Sequence, residues 1–168
     1  MRYSKIRPYD IANGPGVRTT LFVSGCTHNC RGCFNKEQQS FDYGDIFTKE
    51  TEDNFIKLTA KDEIDGVNIL GGEPMQQIMD STLLSLLKRI KKETGKKIWL
   101  WSGYKFEDII SNPKRFELLK QVDVLIDGKF ELDKKNLNLQ YRGSSNQRII
   151  DVQKTLQNNN IIVYWEEL

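Results

Sequence analysis

The sequence lacks the features that mark membrane and secreted proteins. Its 168 residues include no long apolar run, and the mean hydropathy is −0.56. Residues 1–10 contain no apolar segment of the kind found in secretory signals, so we expect a cytoplasmic protein without a membrane span. The hydrophobic content of 38% is enough for a globular core. We therefore expect a single domain over residues 1–168.

An excess of charge of one sign is also lacking. The 25 Lys and Arg residues nearly balance the 23 Asp and Glu residues, which argues against nucleic acid as the main partner. Cysteine is scarce, and Cys26, Cys30 and Cys33 all lie within one short segment. A secreted domain distributes its cysteines over a disulfide framework, whereas such a cluster is typical of metal ligands.

Short apolar runs alternate with helical patterns along the chain. Strands are predicted at 18–24, 66–70, 97–101, 122–126, 148–152 and 161–165. Helices are predicted at 48–60, at about 76–94 and at 104–121, where Pro113 interrupts the pattern, with a short helix after 152. The alternation indicates an α/β fold with a parallel sheet.

The chain length decides between versions of this fold. A full eightfold barrel takes about 250 residues, more than the 168 available. We therefore expect an open partial (βα) barrel of about five or six units, with a doubly wound sheet as the alternative. Either version places ligands at the carboxyl ends of the parallel strands.

Four of the predicted strands end in polar or glycine-containing motifs. These are the segment 26–33, Gly71-Gly72-Glu73-Pro74, Ser102-Gly103-Tyr104 and Asp127-Gly128-Lys129-Phe130. Because the carboxyl ends of parallel strands meet at one edge of a sheet, the four motifs are predicted to form one site.

The cysteines have the spacing C-x3-C-x2-C. Three soft thiolates on one loop suit three corners of a cubane iron–sulfur cluster and leave one iron open to a substrate or cofactor. The alternative is a structural zinc site completed by His28, the only histidine. His28 lies inside the step from Cys26 to Cys30, where binding would strain the loop, so the iron–sulfur interpretation is preferred.

The cysteine motif and the Gly-Gly-Glu-Pro motif together resemble those of the radical S-adenosylmethionine superfamily. The resemblance implies that Cys26, Cys30 and Cys33 bind a 4Fe-4S cluster. It also implies that the open iron binds the amino and carboxylate groups of S-adenosyl-L-methionine. Members of this superfamily have a partial or full βα barrel.

The resemblance extends to the cofactor contacts. Gly71, Gly72 and Glu73 match the motif that contacts the methionine amino group. Many superfamily members have an aromatic residue just before the third cysteine, near the adenine. Here that position is Gly32 and the aromatic residue is Phe34, so the adenine contact is assigned to the segment from Gly32 to Phe34.

Flanking segments narrow the resemblance to glycyl-radical-enzyme activases. The segment 10–18 resembles their D-x3-G-P-G-x-R pattern, although its Gly-Pro-Gly is also explained by a plain turn. Segments 101–104, 127–130 and 142–147 are similar to those of the activating proteins of anaerobic ribonucleotide reductase. The role of 142–147, partner contact or simple loop, stays open, and Trp99 and Trp101 are expected in the core.

The resemblance to the activases implies that Asp127 and Lys129 lie by the carboxylate of S-adenosyl-L-methionine, with Lys129 as its charge partner. The alternative is a solvated ion pair. The implied activity is reductive cleavage of S-adenosyl-L-methionine to methionine and a 5′-deoxyadenosyl radical, which takes a hydrogen atom from a glycine. No side chain is expected to act as an acid or base. The implied partners are the large subunit of the reductase and an electron donor such as flavodoxin.

Two other functions remain as alternatives. The first is activation of another glycyl radical enzyme, such as pyruvate formate-lyase; such activases are usually longer, and some have additional cysteines for further clusters. The second is a zinc-binding interaction module without catalysis.

Overall fold

The computed structural model describes residues 1–164. Its seven strands are β1 (Arg2–Asp10), β2 (Arg18–Val23), β3 (Asp45–Ile46), β4 (Gly66–Gly71), β5 (Lys97–Trp101), β6 (Val124–Asp127) and β7 (Arg148–Asp151). Its α-helices are α1 (Lys49–Thr59), α2 (Thr82–Arg89), α3 (Phe106–Ile110), α4 (Pro113–Leu119) and α5 (Val152–Asn158). A π-helical turn, Ile90–Thr94, continues α2. The α/β class predicted from the sequence is confirmed.

All seven strands form one sheet in the order β3-β1-β2-β4-β5-β6-β7. Strands β2, β4, β5 and β6 are parallel, whereas β1, β3 and β7 pair antiparallel to their neighbours. The expectation of a parallel sheet is therefore wrong for the edges. The physical reason is the connections: residues 11–17 and 128–147 contain no crossover α-helix, and a chain that returns without a crossover pairs antiparallel.

The predicted helix at 76–94 begins later than expected, at Thr82. The side-chain amide of Gln77 donates instead to the carbonyls of Ser24 and Gly25, which holds this segment against the end of β2. The Asp80 carboxylate then accepts from the Thr82 amide at 2.9 Å and starts the helix.

The two faces of the sheet differ in what covers them. Alternate strand residues such as Leu21, Ile69 and Leu100 belong to a core to which all five helices contribute. The opposite face has a smaller core of Trp99, Val124, Ile126 and Ile149, packed against the partly buried Trp101, Tyr141 and Tyr164. Within residues 1–164 the helices contribute to one face only, which disagrees with the doubly wound alternative.

The end of the chain is only partly covered by the structure. Of the predicted strand at 161–165, Val163 forms an isolated antiparallel bridge with Ile150, and Trp165 lies outside the described residues. No helix in the described part of the chain is both long and apolar enough to cross a membrane.

Candidate active site

A cavity of about 500 Å³ lies at the carboxyl ends of β2, β4 and β5, a size typical of small-molecule sites. Seven of the residues predicted from the sequence line it: Cys26, Cys30, Cys33, Phe34, Gly71, Gly72 and Glu73. Its floor includes Phe22, Leu70 and Trp101, which project from the face of the sheet without helices. The structure thus brings the cysteine motif and the Gly-Gly-Glu motif together.

The three cysteines are half-buried and unpaired with one another. Their loop is anchored at its start, where the Gly25 amide donates to Gln38 and the Cys26 amide donates to Gln39. It then turns tightly, with the Cys33 amide donating to the Cys30 carbonyl at 3.2 Å. These contacts place all three cysteines, from a segment of eight residues, in the wall of one cavity.

Burial raises the pKa of the Cys26 thiol to about 11, and it also raises the pKa of Cys30. The three thiols are close enough that negative charge on Cys30 or Cys33 raises the pKa of Cys26 further. A bound cation offsets both effects, because it stabilises the thiolates. Three soft donors on one loop beside a cavity of this size fit a cubane cluster with three protein ligands.

The His28 ring is held against Glu73. Its Nε2 atom lies 2.8 Å from the Oε2 atom of Glu73, and only 8% of its side chain is exposed. Its ring also contacts the Tyr104 ring edge-on, with centroids 4.5 Å apart. The only histidine is therefore committed to Glu73 rather than placed as a fourth ligand beside the three thiols.

Glu73 was expected to face a ligand amino group, but the structure buries it at 1% exposure. Oε1 accepts from the Met75 amide at 2.9 Å and from Ser102 Oγ at 2.7 Å. Oε2 accepts from the Gly103 amide at 2.6 Å and faces His28. A carboxylate has about four acceptor positions, so all those of Glu73 are used within the protein.

Gly71 and Gly72 are required by close packing around the cysteine loop. Gly71 has φ of +112°, and a Cβ atom there would lie 2.5 Å from the Val23 carbonyl oxygen. A Cβ atom on Gly72 would lie 2.7 Å from the Gly25 carbonyl oxygen. The two glycines therefore let the end of β4 approach the start of the cysteine loop, and their backbone lines the cavity.

Gly32 and Phe34 are placed differently. Phe34 lines the cavity, is 64% exposed and stacks at a tilt on Phe130, with ring centroids 5.1 Å apart. Gly32 is absent from the lining and instead packs on Leu132, whose Cδ1 atom would lie 2.9 Å from an added Cβ. Of this segment, Phe34 is the residue that reaches the cavity together with Cys33.

The structure does not bring Asp127 and Lys129 into the cavity. Asp127 is 1% exposed; its carboxylate accepts from the Phe106 amide at 2.8 Å and from the Arg148 guanidinium. Lys129 is exposed and lines a neighbouring cavity that also contacts His28 and Arg115. Gly128 and Phe130, from the same motif, do line the main cavity.

The segment 10–18 forms a braced turn beside the cavity. The Asp10 carboxylate accepts from the Ala12 amide, the Asn13 side chain and the Thr20 hydroxyl at 2.7 to 2.9 Å. Arg18 is 2% exposed and donates to Asn68 Oδ1 at 2.6 Å. Ala12 and Asn13 line the cavity, so the turn forms part of its wall.

Sequence reasoning missed Arg7, which lines the cavity from β1, a strand without an apolar run to reveal it. Segment 142–147, whose role was left open between partner contact and simple loop, lines the opposite side through Arg142, Gly143 and Gln147. Gln147 Oε1 accepts from the Gly143 amide at 2.9 Å, so this segment is a self-braced wall of the cavity.

The family model described as a 4Fe-4S single cluster domain matches residues 12–150. The match covers all three cysteines and every cavity-lining residue except Arg7, and it defines the chain as a single-cluster iron–sulfur protein. This class favours the iron–sulfur interpretation of the cysteine loop over the zinc alternative.

Relatives identify the particular group. The anaerobic ribonucleoside-triphosphate reductase-activating proteins of Salmonella typhimurium, Escherichia coli K12 and Enterobacteria phage T4 are 44%, 43% and 42% identical to this chain. Each match spans 150 residues, 88–89% of this chain and 93–96% of the relative. The chain belongs to the family of anaerobic ribonucleoside-triphosphate reductase-activating proteins, which confirms the resemblance predicted from the motifs.

Proposed function

We propose that this protein activates an anaerobic ribonucleoside-triphosphate reductase by generating a glycyl radical on its large subunit. The relatives are named for activation of this reductase, and they match nearly the whole chain. The single observation that carries the proposal is the convergence of Cys26, Cys30 and Cys33 with the Gly-Gly-Glu turn around one cavity.

Cys26, Cys30 and Cys33 hold a 4Fe-4S cluster in this proposal. When bound, the cluster supplies one electron that cleaves S-adenosyl-L-methionine to methionine and a 5′-deoxyadenosyl radical, and the radical takes a hydrogen atom from the glycine. The protein itself binds and orients S-adenosyl-L-methionine and excludes water from the cavity. No acid or base is needed from its side chains.

The wall residues orient the cofactor. The backbone of Gly71 and Gly72 lies at the cavity, where an amino group can approach without a side chain in the way. Phe34, beside Phe130, offers an aromatic surface to the adenine. Lys129 is exposed next to this cavity, and its side chain reorients to reach the carboxylate of S-adenosyl-L-methionine. Asp127 stabilises the segment 127–130 that carries Lys129.

The open face of the sheet admits the partner. We propose that residues 1–168 form one domain in which the sheet curves as a partial barrel, with its helix-free face open to the glycine-bearing loop of the reductase. The electron donor is a low-potential protein such as flavodoxin. The reaction takes place in the cytoplasm, without nucleic acid or a membrane.

Substitution of the cysteines tests this function. Cys26→Ser, Cys30→Ser and Cys33→Ser are each expected to abolish formation of 5′-deoxyadenosine after anaerobic reconstitution with iron and sulfide and reduction with dithionite. Ser85→Ala, a change at an exposed position of α2, is the control that keeps activity. Retained cleavage in a cysteine variant contradicts the proposal.

Two other results would support the alternative functions. Cleavage of S-adenosyl-L-methionine with a radical on a different glycyl enzyme, but none on the reductase, supports an activase of another enzyme. A colourless protein that prefers zinc to iron supports the interaction module.

A further inference from the structure

Three loops meet at the Glu73 carboxylate. They follow β2, β4 and β5, the strands whose carboxyl ends form the cavity. The loop after β5 contributes the Ser102 hydroxyl and the Gly103 amide, and the turn after β4 contributes the Met75 amide. The cysteine loop after β2 contributes one group only, the His28 ring.

His28 is built into this position. Nε2 of His28 lies 2.8 Å from Oε2 of Glu73, and the tautomer with hydrogen on Nε2 makes the ring the donor of this contact. The ring fits against Gly103, where an added Cβ would lie 2.5 Å from the His28 Cδ2 atom. Tyr104 packs on the ring from the side. A larger residue at 103 would therefore displace the ring.

The hydrogen bond between His28 and Glu73 holds the part of the cysteine motif between Cys26 and Cys30. The backbone contacts at Gly25 and Cys26 hold the start of the loop, and Thr27 exchanges hydrogen bonds of 2.8 and 2.9 Å with Gln76. Beyond Thr27, His28 is the residue that ties the stretch leading to Cys30 to the turn after β4. Burial at 8% exposure strengthens this hydrogen bond, since water competes weakly for either partner.

We propose that His28 is a positioning residue that fixes the cysteine loop against the Gly-Gly-Glu turn through Glu73. The inference rests on the proposed function, because the three cysteines are taken as the cluster ligands. It assigns Glu73 an internal role as acceptor for three loops, in place of the ligand contact expected from its motif. The position of the cysteine loop relative to the Gly-Gly-Glu turn is then set by protein hydrogen bonds.

Three variants of His28 isolate the hydrogen bond. His28→Leu removes the donor and keeps an apolar side chain of similar bulk. His28→Gln retains a donor that reaches Glu73, whereas His28→Asn is too short to reach it. The Gln and Asn pair keeps the test valid if the leucine variant does not fold.

Asp123→Asn is the matched control. Asp123 is a partly buried carboxylate at the opposite end of the strands, where it accepts from the Ile98 amide at 2.7 Å and from Lys91 at 2.6 Å. The change weakens a comparable carboxylate contact far from the cavity. It is expected to lower stability without altering the cluster.

The first readout uses cluster-free protein. Hydrogen exchange of segment 26–33 is expected to accelerate about tenfold in His28→Leu and His28→Asn, as for a local opening made easier by about 1.4 kcal/mol. His28→Gln and Asp123→Asn are expected to match the wild type in this segment. Equal exchange in all variants overturns the proposal.

The second readout is the electron paramagnetic resonance spectrum of the reduced cluster, before and after addition of S-adenosyl-L-methionine. The change on cofactor addition is expected to differ from wild type in His28→Leu and His28→Asn and to be restored in His28→Gln. Wild-type spectra in all three variants contradict positioning by His28. Failure of the wild-type protein to assemble a cluster or cleave the cofactor would instead refute the proposed function.

Discussion

At the residue scale, Asp10 shows how one carboxylate shapes the turn beside the cavity. Burial raises the pKa of Asp10, but hydrogen bonds from Asn13, Thr20 and Ala12 outweigh it, so the pKa lies below the usual 3.8. A lowered pKa in the folded state means that ionised Asp10 stabilises the fold at neutral pH. The contribution is lost as the pH falls below about 3.8 through the lowered folded value.

Asp10→Asn is therefore expected to destabilise the protein by about 1–2 kcal/mol at pH 7, because one amide group faces donors that need acceptors. The deficit relative to wild type is expected to shrink as the pH falls below about 3.8 toward the lowered folded-state pKa. Urea unfolding of both proteins at several pH values measures it. Asp42→Asn, which changes an exposed carboxylate, serves as the comparison. A deficit that stays constant to pH 3 contradicts the assigned pKa shift.

The convergence of the three cysteines with Gly71 to Glu73 at one cavity could be predicted, because residue type and strand-end position are visible in the sequence. The hydrogen-bond partners of Glu73 could not be predicted, since Ser102, Gly103 and His28 are far away along the chain. Asp127 shows the same limit, because its partner Arg148 comes from an antiparallel strand that the motif does not reveal.

At the element scale, the cysteine loop packs against the segment after Phe130. Leu132 packs on Gly32, and Asp133 pairs with Arg31 at 2.8 Å across the exposed surface. The exposed ion pair contributes little, whereas the glycine contact is steric and specific. Gly32 also has φ of +74°, a backbone conformation that favours glycine.

Gly32→Ala is expected to lower both stability and iron uptake, because it adds a Cβ atom 2.9 Å from Leu132 and strains the backbone. Gly95→Ala is the matched control: its φ is +65°, and no atom lies within 4 Å of the added Cβ. The control is expected to lose about 1 kcal/mol of stability and keep full iron uptake. Iron per protein after reconstitution measures the difference, and equal uptake by both variants refutes the steric account.

The parallel strands were the best predicted elements. Strands β2, β4, β5 and β6 lie within two residues of the predicted bounds, because apolar β-branched runs ending in glycine or serine mark them clearly. β1 was missed, since its mixture of charged, polar and aromatic residues contains no apolar run. β3 has two residues, too few for any pattern.

At the scale of the whole molecule, the site is attached to a well-packed sheet with its cavity at one edge. The helices pack on one face. The opposite face carries the small core around Trp99 and the floor of the cavity. Trp99 is 1% exposed, as expected for a core residue, whereas Trp101 reaches the cavity. The mixed edges could not be predicted, because strand direction depends on connections that carry no local signal.

Cluster binding is expected to stabilise the whole domain, because the three thiolates bind only in the folded arrangement. The reconstituted protein should melt several degrees above the cluster-free protein under anaerobic conditions. Removal of iron by a chelator should reverse the gain, and Cys30→Ser should show none. Calorimetry measures it; an identical melting temperature with and without the cluster contradicts the three-cysteine site.

The central claim is that this chain generates a radical on a glycine of the reductase. The most direct measurement is electron paramagnetic resonance of the reductase large subunit after anaerobic incubation with reconstituted protein, S-adenosyl-L-methionine and a reductant. The account predicts an organic radical signal that is absent with Cys26→Ser and that changes its hyperfine splitting when the glycine carries deuterium. A reductase that gains no radical, while the protein cleaves S-adenosyl-L-methionine, would contradict the account.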